Sequence, residues 1–436
     1  PVPLRAPWAC RGGTQASSSA QRLPLRGPGA LSRALSAVRA AQSSAMEATW
    51  TLLSVPGAPA PHPGPRSSHG VSALPDGTVL VLGGEREARD PAGMDLWQLK
   101  PTEGGWRGAA GGALACAWEK LTPAAGSPVP PPRNAHAQAA AGGRLWVVGG
   151  RSGVGVDEGM LGDVWAWDQA ARAWSGPLTT TGEAAPPRSY AAACGTKEAI
   201  FVFGGCGASG RLADLYKLDV ATMVWERLPD PPGVDGRGGA TLEASTCEGK
   251  LLLYSGFIGK ETRDVLTLDL ATKEWTRSHG PECDSSCPCA CAAERSVAQS
   301  CTLSPPGVHS GAVAVFGGEV APSAKGHSGA GSFAGDVLLF GCADGQRLEC
   351  SAVVGAGEKG CPEPRGWGAM TAVSPTMGVL FGGLAGDDVN PRRLDDAWLL
   401  QLAPHAHSAG VCAHVHSPAC VLEKTESDKS LPESEG

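Results

Sequence analysis

The chain has 436 residues, among them 61 glycines and 36 prolines, with charged residues at 18% and aromatics at 5%. That much glycine and proline argues for many short strands joined by tight turns, because both residues break helices. A formal charge of −7 leaves no basic surplus to neutralise phosphates, which argues against a nucleic-acid partner, and no apolar run reaches the ~20 residues of a membrane span.

In chain order, residues 1–45 differ in kind from the rest of the chain. They contain no Asp or Glu but carry Arg5, Arg11, Arg22, Arg26, Arg33 and Arg39 among many Ser and Ala. Two readings stand side by side. As a transit peptide the segment predicts a plastid or mitochondrial protein; with Met46 as the true start, it predicts a cytoplasmic one. Either way residues 1–45 are set outside the fold. The 15 cysteines, several in strand-like segments (Cys194, Cys206, Cys247), are expected as free, mostly buried thiols.

From residue 46 to 403 a repeat governs the chain. Six short apolar runs end in a small-residue pair: VLVLGG (79–84), LWVVGG (145–150), IFVFGG (200–205), LLLYSG (251–256), VAVFGG (313–318) and GVLFGG (378–383). Such a run predicts a strand buried on both faces, and the pair predicts a turn at positive φ. An arginine precedes each run by a near-constant interval: Arg66, Arg133, Arg188, Arg237, Arg295 and Arg365. The small residues between arginine and run suit an innermost strand, where a blade narrows toward an axis. A third strand follows each pair (DLWQL 95–99, DVWAWD 163–168, DLYKLD 214–219, DVLTLD 264–269, DVLLF 336–340, DDAWLL 395–400). A fourth centres on Trp in WEKL (118–121), AWSGPL (173–178), VWERL (224–228) and EWTR (274–277), where indoles would fill the wedge between sheets. The last repeat lacks its Trp strand. TWTLLSV (49–55) supplies one at the start, with Trp50 and Leu53 matching Trp225 and Leu228. The expectation is an all-β, six-bladed propeller closed by an N-terminal strand that completes the last blade and removes its open edge. Residues 404–436, ending in EKTESDKSLPESEG, read as a disordered tail.

These repeats resemble the kelch signature over residues 46–403. Within kelch proteins the chain is similar to the plant group of nitrile-specifier, epithiospecifier and thiocyanate-forming proteins and their non-specifier relatives. The likeness rests on PGPRSSHG (63–70), GGE (83–85), PPRSY (186–190), RGGATLE (237–243), ERSV (294–297), PRGW (364–367) and the Gly-rich loop GGEVAPSAKGHSGAGSFAGDV (317–337). The resemblance implies iron(II)-dependent diversion of glucosinolate aglycones to nitriles, with iron held by Glu, Asp and His after one Gly pair. The matching segment, GFIGKETRDVLTLD (256–269), offers Glu261 and Asp264, but Leu266 stands where specifiers carry His, and residues 250–278 contain none. Without imidazole the set loses the ligand that best suits iron. The reading is therefore a recognition propeller more than an enzyme, with no cofactor, or iron(II) if specifier chemistry holds.

The candidate site residues follow from the repeat. Six arginines at one equivalent position would ring a channel mouth and hold a carboxylate, sulfate or phosphate; the resemblance favours Arg66, Arg133 and Arg188 for sulfate. The alternative is that each pairs with a carboxylate or carbonyl of the next blade, since six uncompensated charges are costly. His69 and His136, each three residues after an arginine, are candidates for the channel wall. Glu85 and Glu319 follow Gly pairs and are expected to pair with the arginines, and His327 sits in the Gly-rich loop. Cys283, Cys287, Cys289 and Cys291 form a connector able to hold a soft metal, and residues 405–420 carry four His and two Cys. No phosphate-cradling loop, nucleophile elbow or His-Glu-x-x-His helix is present. The expected function is recognition of a protein or small anionic ligand at the face carrying the arginines and the loops 85–94, 151–162, 206–213 and 319–335, without a nucleic-acid or membrane partner.

Overall fold

A computed structural model describes residues 46–53, 61–106, 114–153, 159–246, 249–280, 293–308, 310–344, 347–348, 350–356 and 360–404. The leader 1–45, the Cys283–Cys291 connector and the tail beyond 404 lie outside the described residues. Those described are all-β apart from short 3-10 turns, one of them at Gly326–Ser328, and no described helix is long and apolar enough to cross a membrane.

Six sheets repeat one up-and-down pattern. Blade 1 runs Gly70–Ala73, Val79–Leu82, Leu96–Pro101 and Cys116–Leu121, inside to outside. Blades 2 to 5 begin with the inner strands Ala137–Ala141, Ala192–Gly195, Thr241–Ala244 and Gln299–Leu303. Blade 6 begins with Ala369–Ser374. The period-2 alternation of these strands sends one row of side chains into the sheet interface and the other into the channel.

Closure is as expected. Met46–Leu52 pairs antiparallel with Arg392–Pro404, placing Trp50 opposite Leu400. One element was not foreseen: Cys350–Ala356 adds a fifth, parallel strand outside Met46–Leu52, so the chain leaving blade 5 caps the edge of blade 6. Thr181–Gly182 does the same for blade 3 against Val224–Leu228. Both cover hydrogen-bonding groups that an outer strand would otherwise leave open.

Each interface between neighbouring blades holds its own buried apolar layer. The tryptophans act there as the repeat implied. Trp118 of blade 1 lies edge-on to Phe381 of blade 6 at 5.1 Å, and Trp50 to Phe316 of blade 5 at 4.9 Å. Of the cysteines, Cys116, Cys194 and Cys301 are buried thiols outside any disulfide. The Gly pairs take the positive φ predicted for them, as at Gly83 (64°) and Gly84 (90°). In blade 4, Ser255 holds the same geometry at 61°, and its hydroxyl donates to the Thr262 carbonyl at 2.7 Å.

Candidate functional site

The six arginines are together at one end of the channel, but they do not face it. All are at most 2% exposed. Five pair with an aspartate in or just before the third strand of their own blade: Arg133–Asp163, Arg188–Asp214 and Arg295–Asp336 at 2.7 Å, Arg237–Asp264 at 2.9 Å, and Arg365–Asp396. Each also donates to the carbonyl of the first residue of its pair, as Arg133 does to Gly149 at 2.9 Å and Arg188 to Gly204 at 3.0 Å. The arginine thus staples the Gly corner to the third strand. The ligand-facing reading of Arg66, Arg133, Arg188, Arg237, Arg295 and Arg365 is corrected on this point, and the carboxylate partner belongs to the same blade, not the next. A desolvated guanidinium needs this compensation. Arg66 departs from the pattern: it donates to carbonyls, including Gly83 at 2.8 Å, while Asp95 turns to Lys120 at 2.9 Å. Burial, then the neighbouring Arg86, pulls the Arg66 pKa down to about 10.

Two backbone rings close around the axis. The second residue of every pair donates its N–H to the arginine carbonyl of the next blade, ending with Gly383 to Arg66 at 2.9 Å. A tighter ring joins the residues two beyond each arginine. Ala135 donates to Ser68, Tyr190 to Ala135, Gly239 to Tyr190, Val297 to Gly239, Trp367 to Val297 and Ser68 to Trp367, at 2.7–3.0 Å. All six have φ between 47° and 61°, a conformation that costs a non-glycine residue about 1 kcal/mol or more. A closed ring of hydrogen bonds holds them there.

Above this ring lies a cavity of about 390 Å³. Its polar wall comes from Arg89, Arg151 and Arg211, and its flat apolar wall from Tyr190, Phe257 and Trp367. The Arg211 guanidinium sits 4.8 Å from the Phe257 ring centroid. The loop after Glu319 crosses the cavity and sets His327 against Tyr190 (5.4 Å, stacked) and Trp367 (5.1 Å, edge-on). Asp388 of blade 6 anchors that loop, accepting from the Ser323 hydroxyl and from the Ala324 N–H. Burial, with Arg89, Arg151 and Arg393 nearby, lowers the His327 pKa to about 4, so its imidazole is neutral near pH 7.

Glu85 and Glu319 line this cavity without meeting the six buried arginines. Glu85 accepts from the Ser67 and Ser68 hydroxyls and the Arg89 N–H, with Arg393 at 3.6 Å. Glu319 has no ion-pair partner among the described residues. Burial, then Glu261, raises its pKa to about 7. His69 and His136 fall outside the cavity: both are buried, His69 with Nε2 3.0 Å from the Phe381 carbonyl and His136 with Nε2 3.3 Å from Gln138 Oε1. Their pKa values are pushed down to about 3 and about 4, mainly by burial.

The donor set implied for iron does not fit a divalent cation. Asp264 Oδ2 accepts from Arg237 at 2.9 Å and Oδ1 from Arg277, so two guanidiniums already neutralise it. Leu266 is buried in the interface of blades 3 and 4. Among the described residues no group of three or more His, Cys, Asp and Glu is placed to hold a metal, although Glu261 keeps one buried carboxylate oxygen without a partner.

Sequence reasoning missed Arg89, Arg151, Arg211, Tyr190, Phe257 and Trp367. A signal was available for four of them. The position after each pair (Glu85, Arg151, Cys206, Phe257, Glu319, Leu384) and the one two beyond each arginine (Ser68, Ala135, Tyr190, Gly239, Val297, Trp367) vary from blade to blade. In a repeat, structural positions stay alike while site positions diverge.

Comparison with known proteins bears on the repeat and the propeller fold. A family model described as the KLHDC2/KLHL20/DRC7 Kelch-repeats domain matches residues 113–318. The N-(sulfonatooxy)prop-2-enimidothioate sulfolyase of Thlaspi arvense is 24% identical over 346 residues, covering 74% of this chain and 88% of that protein. Multiple epidermal growth factor-like domains protein 8 of Homo sapiens is 30% identical over 142 residues, but the match spans 5% of its length. Among solved structures, that titled "Structure of YjhT" superposes with a TM-score of 0.52 at 17% identity, covering 80% of this chain and 99% of that one.

Proposed function

We propose that this chain, a six-bladed kelch-repeat propeller resembling the plant specifier group, is a recognition module that binds a small organic anion at the mouth beneath the 319–335 loop. The observation that carries this reading is the pairing of Arg89, Arg151 and Arg211 with Tyr190, Phe257 and Trp367 around one cavity. Guanidinium groups supply a fork for sulfate or carboxylate, and ring faces take a flat apolar group. The name of the sulfolyase relative describes such a compound, a sulfonatooxy group on a short unsaturated chain. A rigid propeller with a site built on loops suits binding. The two guanidiniums on Asp264 weigh against the iron-dependent alternative.

Titration of the purified chain with phenyl sulfate and with phenol tests this reading. Phenyl sulfate is expected to bind and phenol to bind much more weakly, and the double change Arg151→Ala, Arg211→Ala should weaken phenyl sulfate at least roughly tenfold, about 1.4 kcal/mol. Equal binding of the two probes, or no effect of the double change, would remove the site from the mouth.

A further inference from the structure

At its other end the channel opens into a second cavity, of about 440 Å³. It continues into a wider vestibule of about 840 Å³ that shares Ala140, Lys197, Thr302 and Ala372 with it. Its walls are largely narrow side chains, alanines and hydroxyls of the innermost strands, with Gln138 and Met370 among them. One acidic group stands among them. On the strand Thr241–Ala244, Leu242 enters the apolar layer between blades 3 and 4, and alternation sends Glu243 to the channel.

Two hydroxyls of blade 5 hold Glu243: Ser300 donates to Oε1 at 2.7 Å and Thr302 to Oε2 at 3.0 Å. No Lys, Arg or His nitrogen forms an ion pair with it among the described residues; Lys197 is exposed at the rim. A partly buried carboxylate without a cation is unfavourable, and desolvation accordingly raises the Glu243 pKa to about 7. This differs from the five buried arginines, each matched to an aspartate. Each carboxylate oxygen can still accept beyond its one hydroxyl.

We propose that this end of the channel is a binding site for an unbranched primary ammonium group, with Glu243 as its counter-ion. One carboxylate matches one positive charge. The N–H donors of an ammonium suit the free lone pairs of the carboxylate, hydroxyls of Ser72 and Thr371 line the same cavity, and Ala140, Ala193 and Ala372 leave width for a linear alkyl stem. A divalent metal is a poorer match, because Glu243 has no group of His, Cys, Asp or Glu placed with it to hold one among the described residues. A free alkylamine and a lysine side chain of a partner share this chemistry. The inference stands apart from the anion site at the mouth.

The test is calorimetric titration of the full chain at pH 8 with n-butylammonium, Nα-acetyl-lysinamide and 1-butanol. Butylammonium, lysinamide or both should bind, with butanol at least roughly tenfold weaker. Butylammonium alone would identify a free amine, and lysinamide alone a protein side chain. Glu243→Gln, which keeps the shape, should reduce amine binding at least roughly tenfold. Affinity should fall between pH 8 and pH 6 as Glu243 takes up its proton; of the other titratable cavity groups, the Cys194 and Cys301 thiols are held well above their usual range, and Lys197 is exposed at the rim. Ser300→Ala provides a second variant that removes a donor to the charged form and should move the pH midpoint of binding upward. Equal binding of butanol and butylammonium, binding by neither amine, or an unchanged affinity in Glu243→Gln would overturn the proposal.

Discussion

The two ends of the channel share six inner strands yet carry opposite chemistry. At the mouth, the corners between second and third strands bring Arg89, Arg151, Arg211 and Phe257 over the axis, the segments entering the inner strands add Tyr190 and Trp367, and His327 lies against those two rings. At the other end the strands meet in short turns, so the wall is the inner strands themselves, small and hydroxyl-rich, with one carboxylate. Charge is treated differently as well. Close to the mouth every ring arginine but Arg66 has an aspartate, whereas Glu243 has two hydroxyls and, among the described residues, no cation. Repeated positions are compensated because the same pair is built into blade after blade; a position occurring once is free to carry an unmet charge.

The contrast can be broken most severely at a staple. Arg237→Ala would leave Asp264, 6% exposed, facing only Arg277, and should cost about 3–4 kcal/mol in urea unfolding. Arg66→Ala strands no aspartate and should cost less, so equal losses would contradict the pairing argument. Next in size is the backbone corner. Gly150 sits at φ 93°, and an added Cβ would fall 2.8 Å from the Asn134 carbonyl oxygen, so Gly150→Ala should destabilise by about 2–3 kcal/mol, read as a lowered Tm.

Glu243 sharpens the comparison through pH. Its folded pKa, about 7, lies above the ordinary carboxylate value, so the folded state holds a proton that the unfolded state releases. The stability this gives is present at low pH and lost as pH rises from about 4.5 to about 7. Glu243→Gln should flatten that loss and be about 1–2 kcal/mol more stable than the parent at pH 8. Glu319 is raised in the same direction, so some slope will persist in the variant. The smallest effect is expected at His327→Ala, below about 1 kcal/mol in stability, with a change in phenyl sulfate affinity by titration, because the imidazole packs over the cavity and not within a blade.

Much of this molecule was legible in one dimension. Apolar runs ending in Gly-Gly, a tryptophan on outer strands and a missing last strand returned at Trp50 determine the six blades and their closure, because strand periodicity and positive φ are local properties of the chain. The recurrence of Arg66, Arg133, Arg188, Arg237, Arg295 and Arg365 was equally visible, but its meaning was not. Whether a guanidinium faces ligand or aspartate depends on a third strand 26 to 41 residues away in Arg188–Asp214 and Arg295–Asp336, and spacing does not report which way a side chain turns. Only the tertiary structure brought Arg89, Tyr190, His327 and Trp367 from four blades over one axis, and only it placed Glu243 with no cation beside it among the described residues. Both are consequences of closing the ring, which sets side by side residues that share no local signal.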